Sequence, residues 1–290
     1  MNKTLVSIII PTYKNRGGLK ETIESIKKQS YQEIEIIVVD DNGKGTEKQI
    51  ETETLCKKFD VKYIAHEQNR NGAAARNTGI FASSGFYVGF CDDDDCFFPE
   101  KIAMQVDFLN NNEQFEAVYC YAKKNGVRVN TKFLEGNLTK DLLLMKCFLQ
   151  TSTLLFRRKA IMKLQGFDES FRRHQDYELM LRFFKEGYKV GLIPEELVVM
   201  GLNQGENIPA GQKMELLKIQ YLGCFDSVIS SYGNTFKRKV YAKHFVKVFF
   251  EYLKAKEFGS SIRIFYKYLW HHPSILFSSI FESFKYHILK

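Results

Sequence analysis

Residues Gly85 to Lys101 read "GFYVGFCDDDDCFFPEK". The apolar run "GFYVGFC" has the length and bulk of a buried strand. Asp92 to Asp95 stop it. A helical pattern, "PEKIAMQVDFLNNN", then opens at Pro99, where proline suits the first turn. Like charges repel, so four consecutive carboxylates do not belong to the core on either side. They mark the exit of a strand.

The same exit recurs upstream. "LVSIII" (Leu5–Ile10) is a β-branched run that Pro11 ends, and "GGLKETIESIKKQS" after it puts Leu19, Ile23 and Ile26 on one helical face. "IEIIVVDDN" (Ile34–Asn42) is a second buried strand ending in carboxylates, with a helix expected over Thr46–Phe59. "VKYIAH" (Val61–His66) reads as a third strand, and "NGAAARNTGIFASS" (Asn71–Ser84) as a loop entering a helix. Strands alternating with helices over short connections give an α/β fold with a mostly parallel central sheet flanked by helices. In such a sheet the strand exits share one edge, where ligands bind. Pro11–Thr12, Asp40–Asp41 and Asp92–Asp95 all fall at that edge.

Beyond Asn112 the pattern changes. "FEAVYCYA" and "TSTLLFRR" look like further strands, Lys123–Gln150 has room for a hairpin, and "GFDESFRRHQDYELMLRFFKEGY" opens as a turn and becomes a helix near Asp176. Met200–Gly211 is a polar loop, and helices dominate from Met214 on. The expected organisation is an α/β domain over 1–212, with a Rossmann-like half (1–112) and a second half (113–212), followed by a helical region over 213–290.

Charge is unevenly placed in the 290 residues. Residues 236–290 carry 11 Lys/Arg and 3 Glu, the whole net +8, whereas the first 235 carry 31 charges of each sign. The same segment holds the only tryptophan, Trp270, among many Phe and Tyr. Basic, aromatic helices suit an anionic membrane surface; a helical bundle with solvated lysines is the plainer alternative. No nucleic-acid motif accompanies the charge. No secretory leader and no apolar run of about 18–20 residues is evident. The six cysteines lack metal-type spacing and read as reduced, buried thiols in a cytoplasmic protein.

Four carboxylates stay ionised together only at a cost that a cation removes. Oxygen-only donors select Mg²⁺ or Mn²⁺, which take one or two carboxylates and complete their shell with water and phosphate oxygens. Asp92–Asp95 is therefore either a metal–diphosphate site or a solvated acidic turn. "GKGT" (Gly43–Thr46) lacks the Walker A spacing, and no GxGxxG follows the first strand, which argues against P-loop and dinucleotide enzymes.

Taken in order, "VSIIIPTYKN", "IEIIVVDDN", "NGAAARNTGI", "YVGFCDDDDCFFPEKI" and "GFDESFRRHQDYELMLRF" resemble the family-2 glycosyltransferases of GT-A fold. The resemblance covers about Leu5 to Met200. It implies a nucleotide-diphospho-sugar donor, a divalent metal and inversion at the anomeric carbon. By matching position, Pro11, Thr12 and Tyr13 would touch the nucleoside, Asp41 the uracil or ribose, and Arg76 the base and diphosphate. Asp92 and Asp93 would hold ribose or metal waters, with Asp94, aided by Asp92, ligating Mn²⁺ or Mg²⁺. Asp95 would orient the loop, and Asp40 would serve a turn. Asp176 would be the general base; the family usually has Glu before it, and here Gln175 stands there. Its plainer role is a helix cap. His174 would face acceptor or solvent, and Asn203 and Asn207 would fold over the donor. The implied acceptor is a saccharide, commonly lipid-linked, at the inner membrane face, in capsule, O-antigen or wall-polymer synthesis. A sugar-phosphate nucleotidyltransferase would want a Gly-rich basic loop where "PTYKNRGG" stands; a non-catalytic sugar-nucleotide or membrane-binding protein would not need Asp176.

Overall fold

The computed structural model describes residues 4–14, 18–129, 132–201 and 209–278. The chain forms two compact units: residues 1–142 with 147–204, and residues 143–146 with 205–290.

The first unit is built on one nine-stranded sheet. Its strands are β1 (Val6–Thr12), β2 (Ile34–Asp40), β3 (Lys62–Ala65), β4 (Tyr87–Phe90), β5 (Cys96–Phe97), β6 (Ala117–Lys124), β7 (Val127–Arg128), β8 (Leu154–Arg157) and β9 (Val190–Met200). They lie in the order β3-β2-β1-β4-β8-β6-β9-β5, with β7 on β6. β1, β2, β3, β4, β6 and β9 run one way; β5, β7 and β8 oppose them. The mostly parallel sheet is thus present, and the β6–β7 hairpin occupies the segment where a hairpin had room.

Helices α1 (Leu19–Lys27), α2 (Glu47–Phe59), α3 (Gly72–Ala82) and α4 (Lys101–Asn111) follow β1, β2, β3 and β5. α1 buries Leu19, Thr22, Ile23 and Ile26, the stripe read from its 3.6-residue period. Thr46 caps α2 by accepting from Gln49 N, and Asn71 caps α3 by accepting from Ala73 N and Ala74 N. α5 (Thr139–Leu143) spans the change of unit, and α6 (Arg158–Lys163) and α7 (Gln175–Lys185) complete the first unit. The core joins both halves of the sheet: Val6, Ile8, Ile10 and Val38 pack in one cluster with Val118, Leu155 and Val198.

β9 has no plain strand signature, because "IPEEL" interrupts it. The register with β6 jumps from Cys120↔Ile193 to Tyr121↔Glu196, so a bulge absorbs Pro194 and Glu195, where a proline does not break the ladder.

The second unit is helical: α8 (Gly211–Cys224), α9 (Asp226–Ser231), α10 (Asn234–Lys254) and α11 (Phe258–Ile264), which runs into a π-helical turn, Phe265–Leu269. Ala242, Val246, Leu269 and Ile275 form a core of its own. No helix among the described residues is long and apolar enough to cross a membrane. None of the six cysteines, all among the described residues, is in a disulfide; Cys56, Cys91, Cys120 and Cys147 are buried, Cys96 is half-buried, and Cys224 is exposed, against the expectation of burial.

Candidate active site

The chain travels from β1 out to β3, then crosses back to β4 on the other side of β1. That reversal leaves a crevice at the carboxyl edge between β1 and β4. Thr12, at the end of β1, donates its hydroxyl to Asp93 Oδ2 at 2.6 Å, so the two exits touch. Pro11 is half-buried beside it, and Tyr13 stands exposed at the rim.

Asp40 and Asp41 part company at the end of β2. Asp40 is buried and accepts from Asn42 N (2.8 Å) and the Tyr63 hydroxyl (2.9 Å), a turn-stabilising role. Asp41, 2% exposed, faces four groups of its own chain. Oδ1 lies 2.7 Å from His66 Nδ1 and accepts from Arg70 N at 2.8 Å; Oδ2 accepts from Asn69 Nδ2 at 2.8 Å and Asn71 N at 2.9 Å. His66 Nε2 in turn lies 2.9 Å from the Thr78 hydroxyl. Residues 66–71 therefore hang from Asp41, and Asn71 passes that order on to α3.

α3 carries Arg76 into the crevice. Its Nη2 donates to Asp92 Oδ1 at 2.6 Å and its Nη1 to Gln175 Oε1 at 3.0 Å, while the guanidinium lies over the Phe167 ring at 5.5 Å. One cation thus ties the acidic loop to the start of α7. Gln175 is fixed from the other side by donating to Phe171 O at 2.7 Å.

The acidic loop is fastened by its backbone. Asp95 N donates to Asp92 O (2.9 Å), Asp92 N to the Ser152 hydroxyl (3.1 Å), and the Thr22 hydroxyl to Asp95 O (2.8 Å). Asp95 Oδ1 accepts from Gly201 N at 2.9 Å; its Oδ2 is buried, beside Ser152, with no donor in hydrogen-bond geometry among the described residues. Two glycines press on the loop. A Cβ on Gly18 would lie 2.6 Å from Asp93 O, and one on Gly201 would overlap the Asp94 carbonyl and carboxylate. Asp95 thus joins the acidic loop to Thr22 and to the residue after β9.

Burial sets the electrostatics. Desolvation, with Asp92 and Asp94 adding like charge, pushes the Asp93 carboxyl up to about 6 despite the Thr12 hydrogen bond. Desolvation and Asp92 push Asp95 up to about 7. Asp176 is raised to about 6 by desolvation, partly offset by the Tyr177 N–H and by Arg76, whose charge lowers it. Its Oδ1 accepts from Tyr177 N at 2.9 Å. α7 begins at Gln175 with His174 at the cap position in a left-handed conformation (φ 59°), so Asp176 sits in the first turn and is not the cap. His174 is half-buried, its ring 5.9 Å from that of Tyr177. Asn203 and Asn207 lie outside the described residues.

The donor set is oxygen-only, and burial, with like charge nearby, raises the proton affinity of two of the four carboxyls, Asp93 and Asp95, a cost that a cation would offset. That chemistry fits Mg²⁺ or Mn²⁺. Among the described residues no three His, Cys, Asp or Glu side chains converge on one metal position, so the rest of a shell would come from phosphate and water. His66, Ser152, Gly18 and Gly201 escaped the sequence reading. For Gly201 the signal was hidden, because the strand that it follows, β9, is interrupted by "IPEEL".

A model of the glycosyl transferase family 2 matches residues 7–183. The amylovoran biosynthesis glycosyltransferase AmsB of Erwinia amylovora is 28% identical over 204 residues, 66% of this chain and 67% of that one. The chain spans between 27% and 67% of the length of five curated relatives that it matches. In shape it is similar to S. aureus TarS 1–349 solved with UDP-GlcNAc, with a TM-score of 0.65 at 16% identity over 91% of this chain and 80% of that one. It is also similar to the mannosyltransferase PcManGT from Pyrobaculum calidifontis solved with GDP-Man and Mn²⁺, with a TM-score of 0.54 at 18% identity over 88% of this chain and 65% of that one. The chain belongs to glycosyl transferase family 2, and its sheet-bearing first unit has the GT-A fold.

Proposed function

We propose that this chain is an inverting glycosyltransferase that moves a sugar from a nucleotide-diphospho-sugar, of the UDP class, to a hydroxyl of a saccharide acceptor. One observation carries the reading: Arg76 links a metal-type aspartate, Asp92, to the first turn of the helix that bears a desolvated carboxylate, Asp176. Donor-side and acceptor-side groups are thereby held in one crevice.

Asp176, ionised, takes the proton of the acceptor hydroxyl. The acceptor oxygen attacks the anomeric carbon as the bond to the diphosphate breaks, and the bonding pair leaves with the nucleoside diphosphate. A proton affinity raised to about 6 suits a base that is ionised near neutral pH yet strong enough to be useful. Arg76 keeps that carboxyl ionised and faces the diphosphate side. Asp94 and Asp92 would hold Mn²⁺ or Mg²⁺, which when bound neutralises charge on the leaving diphosphate. Pro11, Thr12 and Tyr13 form the nucleoside rim, with Thr12 also steadying Asp93. Asp41 serves the nucleoside through the 66–71 loop that it anchors.

The acceptor proposed is a lipid-linked oligosaccharide in polysaccharide synthesis, which puts the protein at a membrane surface; the relation to AmsB supports a biosynthetic glycosyltransferase, and the basic, aromatic C-terminal unit supports the membrane surface. The proposed division is a catalytic domain over 1–212, its donor and acceptor halves meeting near residue 112, and a helical region over 213–290.

Calorimetric titration of UDP with Mn²⁺ present, then with EDTA, tests the donor site. Binding that needs the metal and is lost in Asp94→Ala is expected. Absence of binding for UDP, GDP and dTDP alike would sink the reading.

A further inference from the structure

The second unit leaves an apolar stripe uncovered among the described residues. Phe258, Ile262, Tyr266 and Trp270, four residues apart, are each between 57% and 65% exposed. In a plain α-helix such spacing drifts around the axis, because a turn takes 3.6 residues. Here the helix widens to a π turn over Phe265–Leu269, with Trp270 N bonded to Phe265 O at 2.9 Å, five residues back. A wider turn counters the drift and returns Trp270 to the line. The opposite face is spent on the unit's own core: Ser261, Ile264 and Leu269 are buried against α10. Beside the stripe an apolar groove of about 320 Å³ opens between Phe249, Leu253, Phe258 and Tyr266.

The charge around the stripe says what covers it. Residues 254–270 carry Lys254, Lys256, Arg263 and Lys267 against Glu257 alone. Arg263 is engaged by Glu215 in two bonds of 2.7 Å, which leaves the three exposed lysines. A second copy facing the stripe would bring like charge to like. An anionic lipid surface brings the opposite charge, and Trp and Tyr with lysines beside them suit the boundary between headgroups and acyl chains.

We propose that the face Phe258–Ile262–Tyr266–Trp270 is the surface by which this chain seats on an anionic bilayer, with the groove taking an acyl or isoprenoid chain end. This rests on the membrane association proposed above and assigns it to one face.

Trp270 is the only tryptophan and lies within the stripe, so it reports this face alone. The test uses the full chain, with vesicles of phosphatidylcholine and phosphatidylglycerol at about 3:1 or of phosphatidylcholine only. Flotation with the anionic vesicles is expected, together with a blue shift of Trp270 emission and its quenching by bromine-labelled acyl chains. Phe258→Ser combined with Tyr266→Ser is expected to weaken partition at least about tenfold, with helix content by circular dichroism unchanged. Flotation without a Trp270 shift would overturn the assignment while leaving membrane association standing. No flotation at all would overturn both. A blue shift that grows with protein concentration in the absence of lipid would mean that a second copy covers the stripe, and the proposal fails.

Discussion

Replacing Arg76 with methionine keeps much of the side chain's length and removes its charge. Two bonds are lost, to Asp92 at 2.6 Å and to Gln175 at 3.0 Å, and with them the cation that lowers the proton affinity of Asp176. An opposite charge within about 4–6 Å commonly depresses a carboxyl by about 1–3 units, so its loss should lift Asp176 from about 6 to about 7 or above. A base works only when ionised. In the parent protein Asp176 is about 90% ionised at pH 7 and half ionised at pH 6, so kcat falls as pH drops through about 6. In Arg76→Met at most about half is ionised at pH 7, and the acid limb moves at least about one unit toward alkaline pH. The assay is kcat against pH at saturating donor and acceptor, from pH 5 to 9, on the parent, Arg76→Met and Asp176→Asn. The asparagine variant should lose about 10²–10⁴ in kcat and show no acid limb of this origin. An acid limb unmoved by Arg76→Met, or an active Asp176→Asn, would refute the coupling and the base together.

Gly201→Ala, which overlaps Asp94, should cost about 1–3 kcal/mol of stability and weaken metal-dependent UDP binding; Gly223→Ala, in a helix with open space at its Cβ, is the control and should leave both in place. Asp95 is protonated more readily in the folded chain (about 7) than in an unfolded one (3.8), so its contribution is complete below about pH 4 and fades as pH rises through about 7. Without divalent metal the stability should therefore fall between about pH 4 and 8, by up to about 4 kcal/mol, with Tm falling alongside, and Asp95→Asn should flatten the slope. Asp41→Ala strands four donors that now face a buried carboxylate and should lower stability by about 3–5 kcal/mol in urea unfolding.

Local pattern was enough for the sheet's parallel half. β1 and β2 are β-branched runs with polar exits, and α1 shows its buried stripe at 3.6-residue spacing, so each could be read from neighbours in the chain. β9 could not, because Pro194 and two glutamates break its pattern and only a bulge against β6 keeps it a strand. The π turn that realigns Trp270 likewise leaves no mark in the spacing that an α-helix would not also allow.

For the site, residue types and order along the chain determined which carboxylates stand at strand exits, since a run of aspartates after an apolar strand has nowhere else to go. What each carboxylate does was decided by groups far away in sequence. Thr12 reaches Asp93 across 81 residues, Arg76 reaches Gln175 across 99, and Gly201 N reaches Asp95 across 106. Asp41 and Asp94 look alike in sequence, yet one is enclosed by four groups of the 66–71 segment and the other is pressed by two glycines. Desolvation and hydrogen bonding are sums over everything packed around a group. They come into being only when the sheet brings its exits together, so the acids were legible in the chain and their protonation and partners were not.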